Sequence, residues 1–262
     1  MTAPVALVTG GNRGIGLATC RALAERGCTV LMGARDPVQA IAAAGDMAKD
    51  GLHIRVLPLD VTDDDSVAEA VRLLRNDVGR LDILVNNAGV LFELDLARDA
   101  AAPGEPFLKP SEVSMARVRD TFAVNVLGAI AITSAALPLL RAAPRGRLIA
   151  VSSRLGSIAY AAAIAGSAEV PSPLEIETEY LTLLAYNSSK AALNAAMLQY
   201  MIELRGSTVS VDVVDPGHCA TDINGRSGDR SPAEAGRLVA DIALSTEPGS
   251  PRFWNEHGQL PW

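Results

Sequence analysis

The first 27 residues constrain the fold more than any others. Val5-Ala6-Leu7-Val8-Thr9 is an unbroken apolar run, as a parallel strand buried on both faces requires. It feeds Gly10-Gly11-Asn12-Arg13-Gly14-Ile15-Gly16, and a helix-forming stretch from Leu17 to Arg26 follows, closed by Gly27. Glycines let the chain turn tightly and let backbone pass close to a phosphate, while a helix N-terminus offers unpaired N–H groups and a partial positive charge. Alone, such glycines mark only a turn. Between a strand and a helix, they point to a dinucleotide diphosphate.

The same alternation continues along the chain. Apolar strands are expected at Cys28–Ala34, His53–Leu59, Leu81–Val85, from Gly146 to the Ser152-Ser153 pair, at Val209–Val214 and at Arg252–Trp254. Between them lie a helix opened by Asp60-Val61-Thr62-Asp63 and running to about Gly79, a long helix from Ser111 to about Arg141, and a third opened by Ser231-Pro232-Ala233-Glu234. The last has the N-cap, N1 proline and N3 glutamate of a capping box. Strand–helix alternation of this kind predicts an α/β fold, a doubly wound parallel sheet of about seven strands (a Rossmann fold), with its crevice at the carboxyl ends of the strands. With 262 residues, half of them hydrophobic, and no linker, a single domain over 1–262 is expected.

At the end of the second strand a dinucleotide site for NAD usually places a carboxylate on the ribose hydroxyls. Here Ala34 stands at that position, with Arg35 next and Arg13 in the glycine turn. Two guanidinium groups suit a 2′-phosphate, so NADP(H) is expected over NAD(H). Asp36 reads either as the N-cap before Pro37 or as a displaced ribose ligand.

A formal charge of −7, with basic residues scattered rather than blocked, argues against a nucleic-acid or anionic membrane surface. No apolar run is read as approaching the ~18 residues needed to cross a bilayer, and the N-terminus leads directly into a strand, so a cytoplasmic location is expected. Cys20, Cys28 and Cys219, with His53, His218 and His257 far apart, have neither disulfide nor metal-site spacing. No metal is expected.

Tyr186 and Lys190 stand four residues apart in a helix-forming stretch, which puts phenol and ammonium on one face. A free phenol titrates near pH 10. A fixed cation beside it stabilises the phenolate and is expected to bring its pKa toward the working range, making an acid/base. A surface tyrosine beside a solvated lysine would show the same spacing.

Together, Thr9 to Gly16, Asp60-Val61, Asn86-Asn87-Ala88-Gly89 and Tyr186-x-x-x-Lys190 resemble the short-chain dehydrogenases/reductases, over essentially the whole chain. The resemblance implies an enzyme that reduces a carbonyl (ketone or aldehyde) to an alcohol, or the reverse, by hydride transfer. It makes Asn125, Ser153 (the second of its serine pair), Tyr186 and Lys190 the catalytic set, with Asn125 holding a water that links Lys190 to solvent. The implied cofactor contacts are Gly10, Asn12, Arg13, Gly14, Ile15, Gly16, Arg35, Asp60, Val61, Asn87, Ala88, Gly89, Tyr186 and Lys190, with Pro216, Gly217, Cys219 and Thr221 against the nicotinamide and diphosphate. His218 then reads as a loop residue or pocket wall, since the resemblance needs no histidine there.

Two departures, loop insertions at about 91–110 and 157–178, make the carbonyl-reductase branch the nearest match. Loops there are expected to wall the substrate site. In that branch a longer insertion covers the association surface, so a monomer is favoured and a dimer stays open. Two other readings share the motifs: NADP-dependent reduction of an activated C=C bond, and a non-catalytic protein that senses NADP.

Overall fold

The computed structural model describes residues 3–93, 108–166, 181–245 and 252–262. Strand β1 (Val5–Thr9) leads into α1 (Gly14–Glu25), β2 (Thr29–Ala34), α2 (Pro37–Lys49), β3 (Ile54–Pro58), α3 (Asp64–Asp77) and β4 (Ile83–Asn86). Next come α4 (Met115–Phe122), a π-helical turn (Ala123–Gly128) and α5 (Ala129–Arg141), which run on as one helix. The chain continues through β5 (Gly146–Val151), α6 (Ile158–Ile164), α7 (Leu184–Glu203), β6 (Val209–Val214), α8 (Pro232–Leu244), β7 (Arg252–Asn255) and β8 (Gly258–Gln259).

The sheet order is β3-β2-β1-β4-β5-β6-β7-β8, parallel throughout except for the antiparallel β7–β8 pair. The expected doubly wound sheet is therefore present, with eight strands among the described residues instead of about seven. The extra strand is two residues long, too short to carry a periodicity. Side chains alternate across the sheet: Val5 and Leu7 join a core with Ile132, Leu140, Leu193 and Met197, while Ala6 and Val8 join one with Leu23, Met32 and Val239. Helices on both faces explain why the central strands read as continuous apolar runs.

Other boundaries move. Helix α1 begins at Gly14 rather than Leu17, because the glycine turn passes straight into the first helical turn. The long helix begins at Met115 rather than Ser111: Ser114 is its N-cap, accepting from Arg117 N, and residues Pro110–Glu112 form a separate 3-10 turn. That helix is also a correction to the bilayer argument. Within Met115–Arg141 it is long and apolar enough to cross a membrane, with an 18-residue window of mean hydropathy 1.9, yet more than half of that window is buried inside the molecule. Its apolar residues pack the core. The expected insertion at 157–178 begins instead as structure, since Ser157 caps helix α6. The rest of it, from 167, and residues 94–107 of the insertion at 91–110 lie outside the described residues.

Helices α1 and α8 pack directly on each other across one face of the sheet, through Gly236. A Cβ there would lie 2.5 Å from Ala18 C and 2.7 Å from Thr19 N, backbone atoms that cannot rotate away. Gly236→Ala is expected to push the two helices apart, costing about 1–3 kcal/mol and lowering Tm by roughly 2–10 °C in a thermal melt.

Candidate active site

The glycine turn brings the N-terminus of α1 to the carboxyl ends of β1 and β4. Arg13 is its N-cap residue; no side chain caps the turn and its first turn carries no acid, so the end keeps its positive character. Gly16 cannot be anything larger, because a Cβ would sit 2.3 Å from Gly10 O and 2.4 Å from Asn87 Nδ2. Asn87 Nδ2 donates to Thr9 O (2.8 Å) and Gly10 O (3.1 Å), while Thr9 Oγ1 accepts from Asn87 N and Ala88 N, both at 3.0 Å.

From this corner opens a cleft of about 1010 Å³. Gly10, Asn12, Arg13, Gly14, Ile15, Gly16, Arg35, Asp60, Val61, Asn87, Ala88, Gly89, Ser153, Tyr186, Lys190, Pro216, Gly217, Cys219 and Thr221 all line it. Every residue expected at the site is there except Asn125, which is buried behind Gly89: a Cβ on Gly89 would be 3.4 Å from Asn125 Oδ1 and 3.6 Å from Lys190 Nζ.

At one end of the cleft, Arg13 and Arg35 are exposed cations. The ambiguity over Asp36 resolves in favour of the cap: its carboxylate accepts from Val38 N (2.9 Å) and Gln39 N (3.2 Å), with Pro37 at N1. Burial works against ionisation of Asp60, but the Thr62 hydroxyl and N–H, with the Arg35 guanidinium, hold its carboxyl below the usual range. Two guanidiniums beside an uncapped helix N-terminus make a donor set suited to a phosphorylated ribose and a diphosphate.

At the other end, β5 delivers two serines with different duties. Ser152 Oγ is buried and donates to Asn194 Oδ1 (2.6 Å), a tie to α7, whereas Ser153 is hydrogen-bonded to the Tyr186 phenol. The turn after Ser153 lies flat on α7 because Gly156 has no side chain: a Cβ would be 2.7 Å from Lys190 C and Cβ. Lys190 Nζ donates to Val151 O at 2.9 Å and stands 5.6 Å from the Tyr186 ring centroid. Hydroxyl, phenol and ammonium thus converge from β5 and α7.

Their electrostatics depart from the expectation. Burial pushes the Tyr186 phenol above its ordinary value; the Asp215 carboxylate adds to this, and the hydrogen bond from Ser153 only partly opposes it. Lys190 is drawn down to about 8 by burial, against the pull of Asp215. Desolvation outweighs the neighbouring ammonium because Lys190 is buried, Tyr186 is half-buried, and Nζ is engaged by a carbonyl. The phenol therefore holds its proton firmly, which is the state a proton donor needs. Cys219, its thiol pushed up to about 11 by burial, is a neutral part of the wall, and Cys20 and Cys28 are likewise buried and free.

Three residues near the cleft were not singled out by sequence. Gln39 bonds Asn12 (3.1 Å), Asp215 biases both Tyr186 and Lys190, and Glu93 accepts from the backbone of Ala185 and Tyr186. Asp215 stands before Pro-Gly and reads as an ordinary turn former. Glu93 acts across 92 residues of chain and leaves no local signal.

A family model described as short chain dehydrogenase matches residues 4–168. The chain is 30% identical to (−)-isopiperitenone reductase of Mentha piperita over 93% of each. It is 29% identical to carbonyl reductase (NADPH) 1 of Homo sapiens, over 98% of this chain and 95% of that one. The solved structure of salutaridine reductase from Papaver somniferum superposes with a TM-score of 0.79 at 26% identity, covering 97% of this chain and 99% of that one.

Lys190 is one of only three lysines, and Lys49 is shifted the opposite way by its hydrogen bond to Asp46. Carbon-13 NMR of ε-labelled lysine is expected to show one resonance titrating near pH 8, assigned by its loss in Lys190→Met. Asp215→Asn should move it lower still, since the carboxylate favours the ammonium.

Proposed function

The chain belongs to the short-chain dehydrogenase/reductase family of oxidoreductases, and from that premise we propose that it reduces the carbonyl of a small aldehyde or ketone to an alcohol, or runs the reverse, using NADP(H). The observation that carries this reading is the meeting of Ser153, Tyr186 and Lys190 in the same cleft as the α1 N-terminus.

When bound, the reduced nicotinamide supplies the hydride. The Ser153 hydroxyl and Tyr186 phenol form the pair of donors for the carbonyl oxygen, stabilising negative charge as it develops there. Tyr186, kept protonated by burial and by Asp215, donates its proton to the forming alkoxide. Lys190 is assigned to the nicotinamide ribose, and its ammonium anchors that end of the cleft. Asn125 holds the wall behind Gly89; it accepts from Val90 N (2.8 Å) and donates to Val90 O and Ser189 Oγ, both at 3.0 Å. We assign to it the water through which the proton is replaced.

Asp60 and Val61 are assigned to the adenine, Arg13 and Arg35 to the 2′-phosphate, and Pro216 to Thr221 to the nicotinamide side. The named cofactor of the human relative accords with the two exposed arginines. Its name, carbonyl reductase, also accords with a small-molecule carbonyl substrate.

The test is turnover of purified protein with NADPH on a panel of aldehydes, ketones and quinones, following absorbance and product. Alcohol formation is expected; no turnover on any carbonyl, or turnover confined to activated C=C bonds, overturns the reading. Tyr186→Phe should bind NADPH normally and lose about 10²–10⁴ of kcat. Arg35→Asp should swing the kcat/KM ratio toward NADH by about tenfold or more, and an unchanged ratio would place the phosphate elsewhere.

A further inference from the structure

Most helices here are capped by their own chain. Asp36, Asp63, Ser114, Ser157 and Ser231 each accept from the first turn they precede. Helix α7, which carries Tyr186, is different: its N-cap residue Leu183 has no capping side chain. The orphan N–H groups of its first turn are met by a carboxylate from far away. Glu93 Oε1 accepts from Ala185 N at 2.9 Å and Oε2 from Tyr186 N at 2.8 Å. Glu93 is 0% exposed, and a carboxylate so deeply buried is tolerable only because two N–H groups and the positive end of the helix face it.

The carbonyl side of Tyr186 is tied to the same stretch of chain. Ser189 Oγ donates to Tyr186 O at 2.7 Å and accepts from Asn125 Nδ2, which in turn clamps the backbone of Val90. Both main-chain groups of Tyr186 are therefore fixed to Val90–Glu93, the segment that directly follows Asn87-Ala88-Gly89 in the cleft wall. Packing of α7 would hold the helix axis. These ties hold the first turn, and with it the phenol, in register with that wall.

We propose that Glu93 is a positioning residue for Tyr186: by capping the first turn of α7 it holds the phenol where it meets Ser153 and a carbonyl oxygen. This rests on the reading of Tyr186 as the proton donor. Displacing a reacting group by about 1 Å can cost on the order of 10²-fold in rate, so loss of the cap should appear in chemistry more than in binding.

The test is Glu93→Gln, which keeps the shape but turns an amide NH₂ toward an N–H donor, with Glu93→Asp as the conservative variant. Hydrogen exchange of the peptide spanning the start of α7 should be about tenfold faster in Glu93→Gln. On a carbonyl that the wild type reduces, kcat should fall about 10–100-fold with KM for NADPH little changed, and the solvent deuterium isotope effect on kcat should rise as proton transfer becomes limiting. Glu93→Asp should fall between the two. Faster exchange or a lower Tm with wild-type kcat and isotope effect would make Glu93 a purely structural cap and overturn the proposal. Unchanged exchange would overturn it as well. If Glu93→Gln does not fold, Glu93→Asp decides, and wild-type kcat in that variant counts against the proposal. A wild type that turns over no carbonyl sinks the reading of Tyr186 instead, while the exchange measurement still reports on the tie itself.

Discussion

The carboxyl ends of β1 and β4 are joined by side chains, and the cleft exists because of that junction. Beyond the last ladder pairs the two strands diverge toward different connections, and Thr9 and Asn87 bridge the gap with bonds in both directions. The amide of Asn87 occupies the volume into which a side chain on Gly16 would project. One contact thereby fixes the approach of α1 to the sheet, the path of the chain into Gly89, and, through Val90 and Glu93, the first turn of α7. A dinucleotide crevice at a switch in strand order is a general outcome of this topology. Its mouth is held here by three small or amide residues.

The two ends of the cleft work under different electrostatic regimes. Arg13 and Arg35 are exposed, so any attraction they exert on a phosphate is screened by salt over about 8–10 Å. Lys190 and Asp215 are buried and Tyr186 is half-buried, and there desolvation outweighs the neighbouring charges. Asp215 is itself pushed up by burial, partly relieved by Gly217 N–H (3.1 Å) and by Arg154. Its effect on the other two is to favour the proton on each. A strand-end carboxylate thus favours the protonated phenol, whereas Tyr-x-x-x-Lys alone leads one to expect the lysine to act in the opposite sense.

The parts of the structure that were legible in the sequence are those whose causes are local. Buried parallel strands betray themselves as apolar runs, the capping box at Ser231 and the Asp36-Pro37 start are written within four residues, and Gly10 to Gly16 carries its own flanking strand and helix. The placement of Ser153, Tyr186 and Lys190 in one cleft followed from family resemblance plus this topology. What stayed hidden is non-local. The strand β8 is a two-residue return with no period to read, and the beginning of the long helix was blurred by polar residues that could cap at either Ser111 or Ser114. The direction of the Tyr186 shift could not be read from spacing, since spacing supplies the cation but not the depth of burial.

Glu93 shows why such a residue escapes a linear reading. In Val90-Leu91-Phe92-Glu93-Leu94 it is a lone acid in an apolar run, which by composition alone suggests a chance surface position. Buried, it is held by two N–H groups whose own N-cap residue, Leu183, is apolar and cannot accept. The missing cap on one element and the misplaced charge on another are each unfavourable in isolation, and each is resolved by the other. Mutual dependence of this kind couples the wall of the cleft to the first turn of α7, which carries Tyr186. The contact joins two segments that lie 92 residues apart in the chain.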